Sequence, residues 1–480
     1  MASLMIMGTM SSAGKSYIVT GLCRYFARLG YKVAPFKSQN MALNSYVTDE
    51  GLEIGRAQAV QAFAANTQPN VNMNPILLKP TDDVGSQVIV MGKSIGNMRA
   101  REYFEYKKSL IPVIKSAYDK LCEDNDIVII EGAGSPAEIN LKHEDIVNMG
   151  LAKMLNVPVL LAGDIDPGGV FAQLYGTMEL LENEEKNLVK GLIINKFRGD
   201  KSLLDSGISF LEDKCNKKVV GLLPFIDAQI EAEDSQNLYS VKNYVNQSVD
   251  CKKVNIAVVR LPRISNFTDF DSLMSLNYVN LVYANNPKDL LNCDLIIIPG
   301  TKNTIADLRW LKTTGFFDVI KGLSREVPII GICGGYQMLG ERIEDPEKIE
   351  GGESEVGFGF IKMVTRLNKD KTLRKSEGIV SGATGRLSFL NGKSYKGYEI
   401  HNGESYFTKD DSMGLPICKE IELAGVYGSY VHGIFDYLDL YDGGSNDYDK
   451  KRNEEFEKIA DSISDNLDME YIKEIMGLYK

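Results

Sequence analysis

The sequence predicts an α/β fold with parallel sheets, divided between domains, and three observations lead to it. Short apolar strands alternate with helical stretches from both ends of the chain. Near the N-terminus one strand runs into a Gly-Lys-Ser turn and then a helix, and far downstream another runs into Ile332-Cys-Gly-Gly335 and a second helix. At 480 residues the chain is too long for one ordinary core, so two or three domains are expected.

Leu4–Gly8 reads as the first strand, Thr9-Met-Ser-Ser-Ala-Gly-Lys-Ser16 as a phosphate-binding loop, and Tyr17–Leu29 as the helix that follows. Glycines let backbone N–H groups cradle phosphate oxygens at a helix N-terminus, while Lys15 reaches the terminal phosphates and Ser16 holds magnesium. Gly8, Thr9, Gly14, Lys15 and Ser16 are therefore the expected ATP-binding residues. Lys37, after the second strand, is placed to hold a substrate carboxylate or phosphate, or else is a surface lysine. Asp126–Ile130 is a buried-strand pattern, so Glu131 lies at a strand's carboxyl end, where parallel sheets bind ligands. Flanking glycines imply close backbone approach there, and Glu131 is the expected second magnesium ligand. Another strand, Gly191–Ile194, leads to Asn195.

The polar segment Asp227–Lys253 interrupts the rhythm and yields to a fresh strand, Val254–Val259. The expected division is a domain at 1–230, a linker at 231–252 and a second domain at 253–480. Leu295–Ile298 is the next clear strand. Pro328–Ile332 follows and delivers Cys333 onto a tight strand-to-helix elbow, where helix-start N–H groups stabilise a thiolate and later an oxyanion. A lone cysteine in an apolar run is ordinarily a core residue. Against that reading, Gly334 and Gly335 serve no packing purpose that alanine would not serve better, and His432 ends another strand-like run. A Cys/His pair distant in sequence and adjacent in space is the expected nucleophile and base. Residues 351–396 read as hairpins or loops, 441–449 as an exposed loop and 450–480 as a closing amphipathic helical segment that packs.

Bulk properties exclude other classes. A net charge of −11 without a long basic run argues against a nucleic-acid groove. Seven cysteines without metal-ligand pairing fit a reducing cytosol. No stretch reaches the roughly 20 apolar residues that span a bilayer, and the first strand begins too early for a signal peptide. A cytoplasmic protein with no nucleic-acid or membrane partner is expected, with no oligomeric state implied. Neither His143 nor His401 belongs to a ligand cluster, so zinc is not expected.

The Cys333 and His432 motifs resemble class I glutamine amidotransferases, and Pro299-Gly300-Thr301 resembles that family's oxyanion loop. The resemblance implies that Gly300, Gly334 and Gln337 bind glutamine or its oxyanion. That family usually has a glutamate two residues after the histidine. Ile434 stands there, and Asp436 is the nearest carboxylate in sequence, so the orienting acid is left open. At the other end five residues, not four, separate Gly8 from Gly14. This longer loop resembles dethiobiotin synthetase and the cobyrinate amidases, which phosphorylate carboxylates; by that likeness Glu53 is a third metal-binding residue and Asn195 reads adenine.

A carboxylate is a poor electrophile, so a phosphorylating site joined to a glutaminase implies amide synthesis through an acyl phosphate. ATP and Mg2+ would serve one site and glutamine the other, with ammonia shielded in transit because ammonium has no lone pair. Essentially the whole chain resembles the cobyric acid synthase family, in 36–45, 53–58, 74–80, 163–171, 261–267 and 398–403. The resemblance implies a corrinoid substrate, adenosylcobyrinic acid a,c-diamide, amidated at b, d, e and g. It also places Asp145, Asp164 and Asp166 in the ATP and substrate cleft, unless they hydrogen-bond loops. The runner-up, an a,c-diamide synthase, usually carries a Gly-Pro-Asp-Tyr type segment where Ser38-Gln-Asn-Met41 stands. A nucleotide-switched ATPase would have a lysine early in the loop, which Thr9–Ser12 lacks. A glutaminase subunit serving a separate synthetase is a further alternative.

Overall fold

A computed structural model describes residues 1–81, 85–140, 142–226, 253–408, 423–438, 440 and 448–479. The expected linker at 231–252 and most of the expected loop at 441–449 lie outside these residues, as does the side chain of His143. Two compact units emerge, one formed by Met1–Ala42, Leu52–Glu231 and Asp449–Lys480, the other by Leu43–Gly51 and Ala232–Tyr448.

The first unit is built on a six-stranded sheet in the order Lys218–Pro224, Val189–Phe197, Val159–Asp164, Ala2–Gly8, Ile127–Glu131, Val33–Phe36. Every pairing in it is parallel. Its central strands are buried on both faces, as apolar runs without alternation require. Met5 and Met7 enter one core with Val128, Ile130 and Leu161. Leu4 and Ile6 enter the opposite core with Ile18, Leu22 and Ile463.

That second core contains an unexpected partner. The helices Tyr448–Asn466 and Met469–Ile475 pack in the first unit, whereas a linear cut at 253 assigns them to the second. Gly21 on the helix Lys15–Arg28 lies so close that a Cβ there would come within 2.5 Å of Ile463 and 2.8 Å of Ile459. Arg24 pairs with Glu457 at 2.7 Å and Arg28 with Asp461 at 2.5 Å. An amphipathic pattern shows that a helix has an apolar face; it does not show which core receives it.

The second unit has a five-stranded parallel sheet in the order Val279–Ala284, Val254–Val259, Leu295–Ile298, Ile329–Ile332, Val426–Ser429. Beside it runs a long antiparallel pair, Met363–Ile379 with Ser394–Phe407. The short strand Val431–His432 joins that pair through Tyr398 and Glu399. Among the described residues no helix is long and apolar enough to cross a membrane.

Candidate active sites

In the first unit the phosphate loop leaves the strand Ala2–Gly8 and ends at Gly14, whose φ of +94° suits glycine and starts the helix at Lys15. Space also favours glycine at 14 while Asn195 keeps its place. A Cβ there would meet Asn195 Nδ2 at 2.0 Å, because Asn195 donates to the Ala13 carbonyl at 2.9 Å. Asn195 thus braces the loop, in addition to any contact with a base. Lys15 Nζ donates to the carbonyls of Met10 at 3.0 Å and Gly134 at 3.1 Å. Thr9 Oγ1 donates to Gln173.

Glu131 is the hub. Its Oε1 accepts from Ser16 Oγ and from Lys37 Nζ, both at 2.9 Å, and its Oε2 accepts from Gln61 at 2.5 Å. A fully buried carboxylate is tolerated because its oxygens are bonded. Lys37 is therefore buried, not a surface lysine. Glu53 forms a second buried ion pair, with Lys79 at 2.9 Å.

Among the described residues no three His, Cys, Asp or Glu side chains converge to cage a metal. Ser16 with the Glu131 carboxylate is an all-oxygen donor set that fits Mg2+, which keeps most of its waters and takes phosphate oxygens as ligands.

The three aspartates expected in the cleft have local bonds. Asp145 accepts from the backbone N–H groups of Val147, Asn148 and Gly150. Asp164 accepts from the Asp166 N–H and pairs with Lys196 at 2.6 Å, and Asp166 pairs with Arg198 at 3.2 Å. Lys196, which the sequence reading did not single out, also donates to the Ser12 carbonyl in the phosphate loop at 2.8 Å.

In the second unit Cys333 ends the strand Ile329–Ile332 with φ 51° and ψ −109°, a strained conformation for a residue with a side chain. This is the elbow. Its two glycines do have a packing role, contrary to the sequence argument. A Cβ on Gly335 would lie 2.0 Å from the Ile298 carbonyl, and one on Gly334 would lie 2.8 Å from Thr301 Cγ2 and 3.3 Å from the Thr301 nitrogen. Alanine does not fit where the elbow meets the loop after Ile298.

His432 faces the same place, since a Cβ on Gly300 would come within 2.9 Å of its Cε1. Its Nδ1 is 2.6 Å from Asp269 Oδ2, and the other carboxylate oxygen accepts the Gly433 N–H at 2.9 Å. Histidine and aspartate are both buried. Burial disfavours the imidazolium, but the charges of Asp269 and of the Cys333 sulphur outweigh it and push the His432 pKa up to about 10. Asp269 thus makes the contact with His432 that an orienting carboxylate would make, the place for which sequence proximity offered Asp436. It sits on the one-turn helix Phe267–Phe270, two residues beyond the distinctive segment 261–267. Nothing in its local pattern marks it.

The loop Pro299-Gly300-Thr301 is laced to its surroundings. Ser265 N–H donates to the Gly300 carbonyl at 3.0 Å. Thr301 Oγ1 donates to Asp307 at 2.5 Å, and Arg263 pairs with the same carboxylate at 3.0 Å. Gln337 accepts from Thr304 and donates to the Asn402 carbonyl, both at 3.1 Å, so its amide ties the elbow helix to two neighbouring segments. His401 stacks on Tyr430 at 3.8 Å and lies 3.5 Å from Glu399. Burial opposes the Glu399 charge, but His401 and Arg374 prevail and draw its pKa down to about 2.

Comparison with known proteins finds two matching domain models. A model of the CobQ/CobB/MinD/ParA nucleotide binding domain matches residues 4–239. A model of the CobB/CobQ-like glutamine amidotransferase domain matches residues 255–439. A cobyric acid synthase of Lachnoclostridium phytofermentans is 49% identical, with 99% of each chain covered. One of Ruminiclostridium cellulolyticum is 47% identical, with 98% of this chain and 96% of the relative covered. One of Clostridium botulinum is 44% identical over 100% of both.

Proposed function

The chain belongs to the cobyric acid synthase family, and on that premise we propose that it amidates the b, d, e and g carboxylates of adenosylcobyrinic acid a,c-diamide in the cytosol, using glutamine and ATP. One observation carries the reading. A buried Cys333–His432–Asp269 relay shares a chain with a phosphate loop whose Ser16 is bonded to the carboxylate that also holds Lys37. The three relatives named above, matched over nearly their full length, are cobyric acid synthases, which disfavours the a,c-diamide synthase alternative.

In the glutaminase reaction the Cys333 sulphur attacks the side-chain carbonyl of glutamine, and backbone N–H groups around Gly300 and Gly334 receive the oxyanion. His432 protonates the departing nitrogen, so ammonia leaves and a glutamyl thioester remains. His432 then takes a proton from the water that cleaves the thioester, with Asp269 holding the imidazole in orientation throughout. In the synthetase reaction a corrinoid carboxylate oxygen attacks the γ-phosphorus of ATP and ADP leaves. Ammonia adds to the acyl phosphate, and phosphate departs as the amide forms.

Lys15 and Lys37 neutralise charge on the transferring group. Ser16 and Glu131, with Glu53 as a candidate third residue, would hold Mg2+, which when bound supplies charge neutralisation at the phosphates. Asn195 is a candidate for adenine recognition, and Asp164 and Asp166 are candidates for the substrate cleft.

Purified protein incubated with ATP, glutamine and the a,c-diamide should yield products each heavier by the exchange of OH for NH2, up to four exchanges, with one ADP per amide. Mass analysis reads this directly. ADP formation independent of the corrinoid, with no amide made, would reject the reading.

A further inference from the structure

The segment Leu43–Gly51 lies in the second unit, although the residues on both sides of it, Met1–Ala42 and Leu52–Glu231, belong to the first. Within the second unit it meets the supports of all three catalytic groups. The Ser45 N–H donates to Asn266 Oδ1 at 2.9 Å, and Asn266 is the residue from which the Asp269-bearing turn starts. The Asn266 carbonyl in turn accepts the Asp269 N–H at 3.0 Å. The Tyr46 ring stands edge-on to Tyr398 at 5.2 Å and 63°, and Tyr398 stacks on His432 at 5.7 Å and 25°. Val47 is buried in a cluster with Tyr398 and Ile400, and the Ile400 carbonyl lies 3.4 Å from the Cys333 sulphur.

Two further contacts clamp the segment. Lys375 pairs with Asp49, and its ammonium lies 5.8 Å from the centre of the Tyr46 ring. Gly51 is held by a turn onto Thr48 and lies against the Leu373 carbonyl.

We propose that Tyr46 is a positioning residue of the glutaminase centre: through Tyr398 it fixes the plane of the His432 imidazole. The inference rests on the amidotransferase reading. An aromatic edge against an aromatic face has a preferred geometry, so removing the Tyr46 ring leaves Tyr398, and with it His432, free to tilt. Proton transfer requires the imidazole nitrogen within hydrogen-bond reach of its partner, and small misplacements there are costly. Because the segment follows Lys37-Ser-Gln-Asn-Met41 directly, the part of the chain that supplies a synthetase-site lysine also supplies a prop for the glutaminase base.

The test uses the full chain with Tyr46→Ala, Tyr46→Phe, Tyr398→Leu and the Tyr46→Ala/Tyr398→Leu double variant, each assayed with glutamine and with free ammonia. We expect Tyr46→Ala to lower glutamine-driven kcat on the order of 10- to 100-fold with little change in KM for glutamine. Tyr46→Phe should restore it, since the ring and not the hydroxyl acts. The double variant should cost little more than the costlier single change, because one route is broken twice. Ammonia-driven amidation in the same preparations reports folding. Wild-type glutamine-driven kcat in Tyr46→Ala, equal loss with both nitrogen sources, or additive losses in the double variant would overturn the proposal. Failure of the wild-type chain to form amide from either source would instead overturn the amidotransferase reading.

Discussion

The two candidate centres are built on opposite principles. In the candidate glutaminase centre the side chains act on one another: His432 is bonded to Asp269, and the Cys333 sulphur is near enough to help raise its pKa. In the candidate phosphate site the cations rest on stand-in partners, Lys15 on two carbonyl dipoles and Lys37 on the Glu131 carboxylate. A proton relay must be oriented in advance, because its geometry is the catalyst. A polyanion site must instead keep its charges solvated by the protein until phosphate replaces those partners.

Cys333→Ala should have the largest effect, cutting glutamine-driven amidation on the order of 10⁴-fold or more while ammonia-driven amidation persists. Parallel assays with the two donors measure it, and equal loss with both would erase the contrast between the centres. Asp269→Asn should follow, at roughly 10²–10⁴-fold on glutamine-driven kcat, since the amide favours the wrong imidazole tautomer. Asp436→Asn should cost far less; a matching loss in folded protein would return the orienting role to Asp436. Lys15→Ala should lower turnover about 10²–10³-fold with either nitrogen source and leave glutamine hydrolysis intact. Normal ammonia-dependent turnover in that variant would refute the phosphate-loop assignment.

The smallest effect concerns stability. Burial lowers the His432 pKa, yet Asp269 and Cys333 raise it to about 10, above the unfolded value of about 6.5. A raised pKa stabilises fully below the unfolded value and loses that contribution as pH climbs through the folded value. The melting temperature of the wild type should therefore fall between pH 7 and pH 10 more steeply than that of His432→Asn. Parallel slopes in thermal melts would show that the pair is not charged in the native state.

Legibility followed locality. The phosphate loop and the cysteine elbow are each a strand, a turn and a helix within a short window, so spacing and glycine placement exposed both. Asp269 escaped because its partner lies 163 positions away and its own turn carries no distinctive pattern. The role of Gly334 and Gly335 was misjudged for a related reason. The carbonyl that excludes a Cβ from Gly335 belongs to Ile298, on a neighbouring strand that no local pattern brings close. Residues 351–396 read as hairpins or loops, and the strand Met363–Ile379 within them does pair antiparallel, but its partner, Ser394–Phe407, runs beyond that stretch and both strands are long. The closing helices were recognised as helical, but their destination depends on ion pairs and a glycine contact with residues 21–28.

That destination has a consequence for biosynthesis. On the ribosome the helix Lys15–Arg28 emerges long before the residues that cover its Gly21 face. Until Ile463 is made, Ile18 and Leu22 lack its cover, although N-terminal domains generally fold as they are made. The nucleotide-binding unit is thus finished only after the residues of the second unit have been made. A nascent or truncated chain that stops before residue 449 carries an open apolar strip on the helix that follows its phosphate loop, a surface suited to chaperone capture.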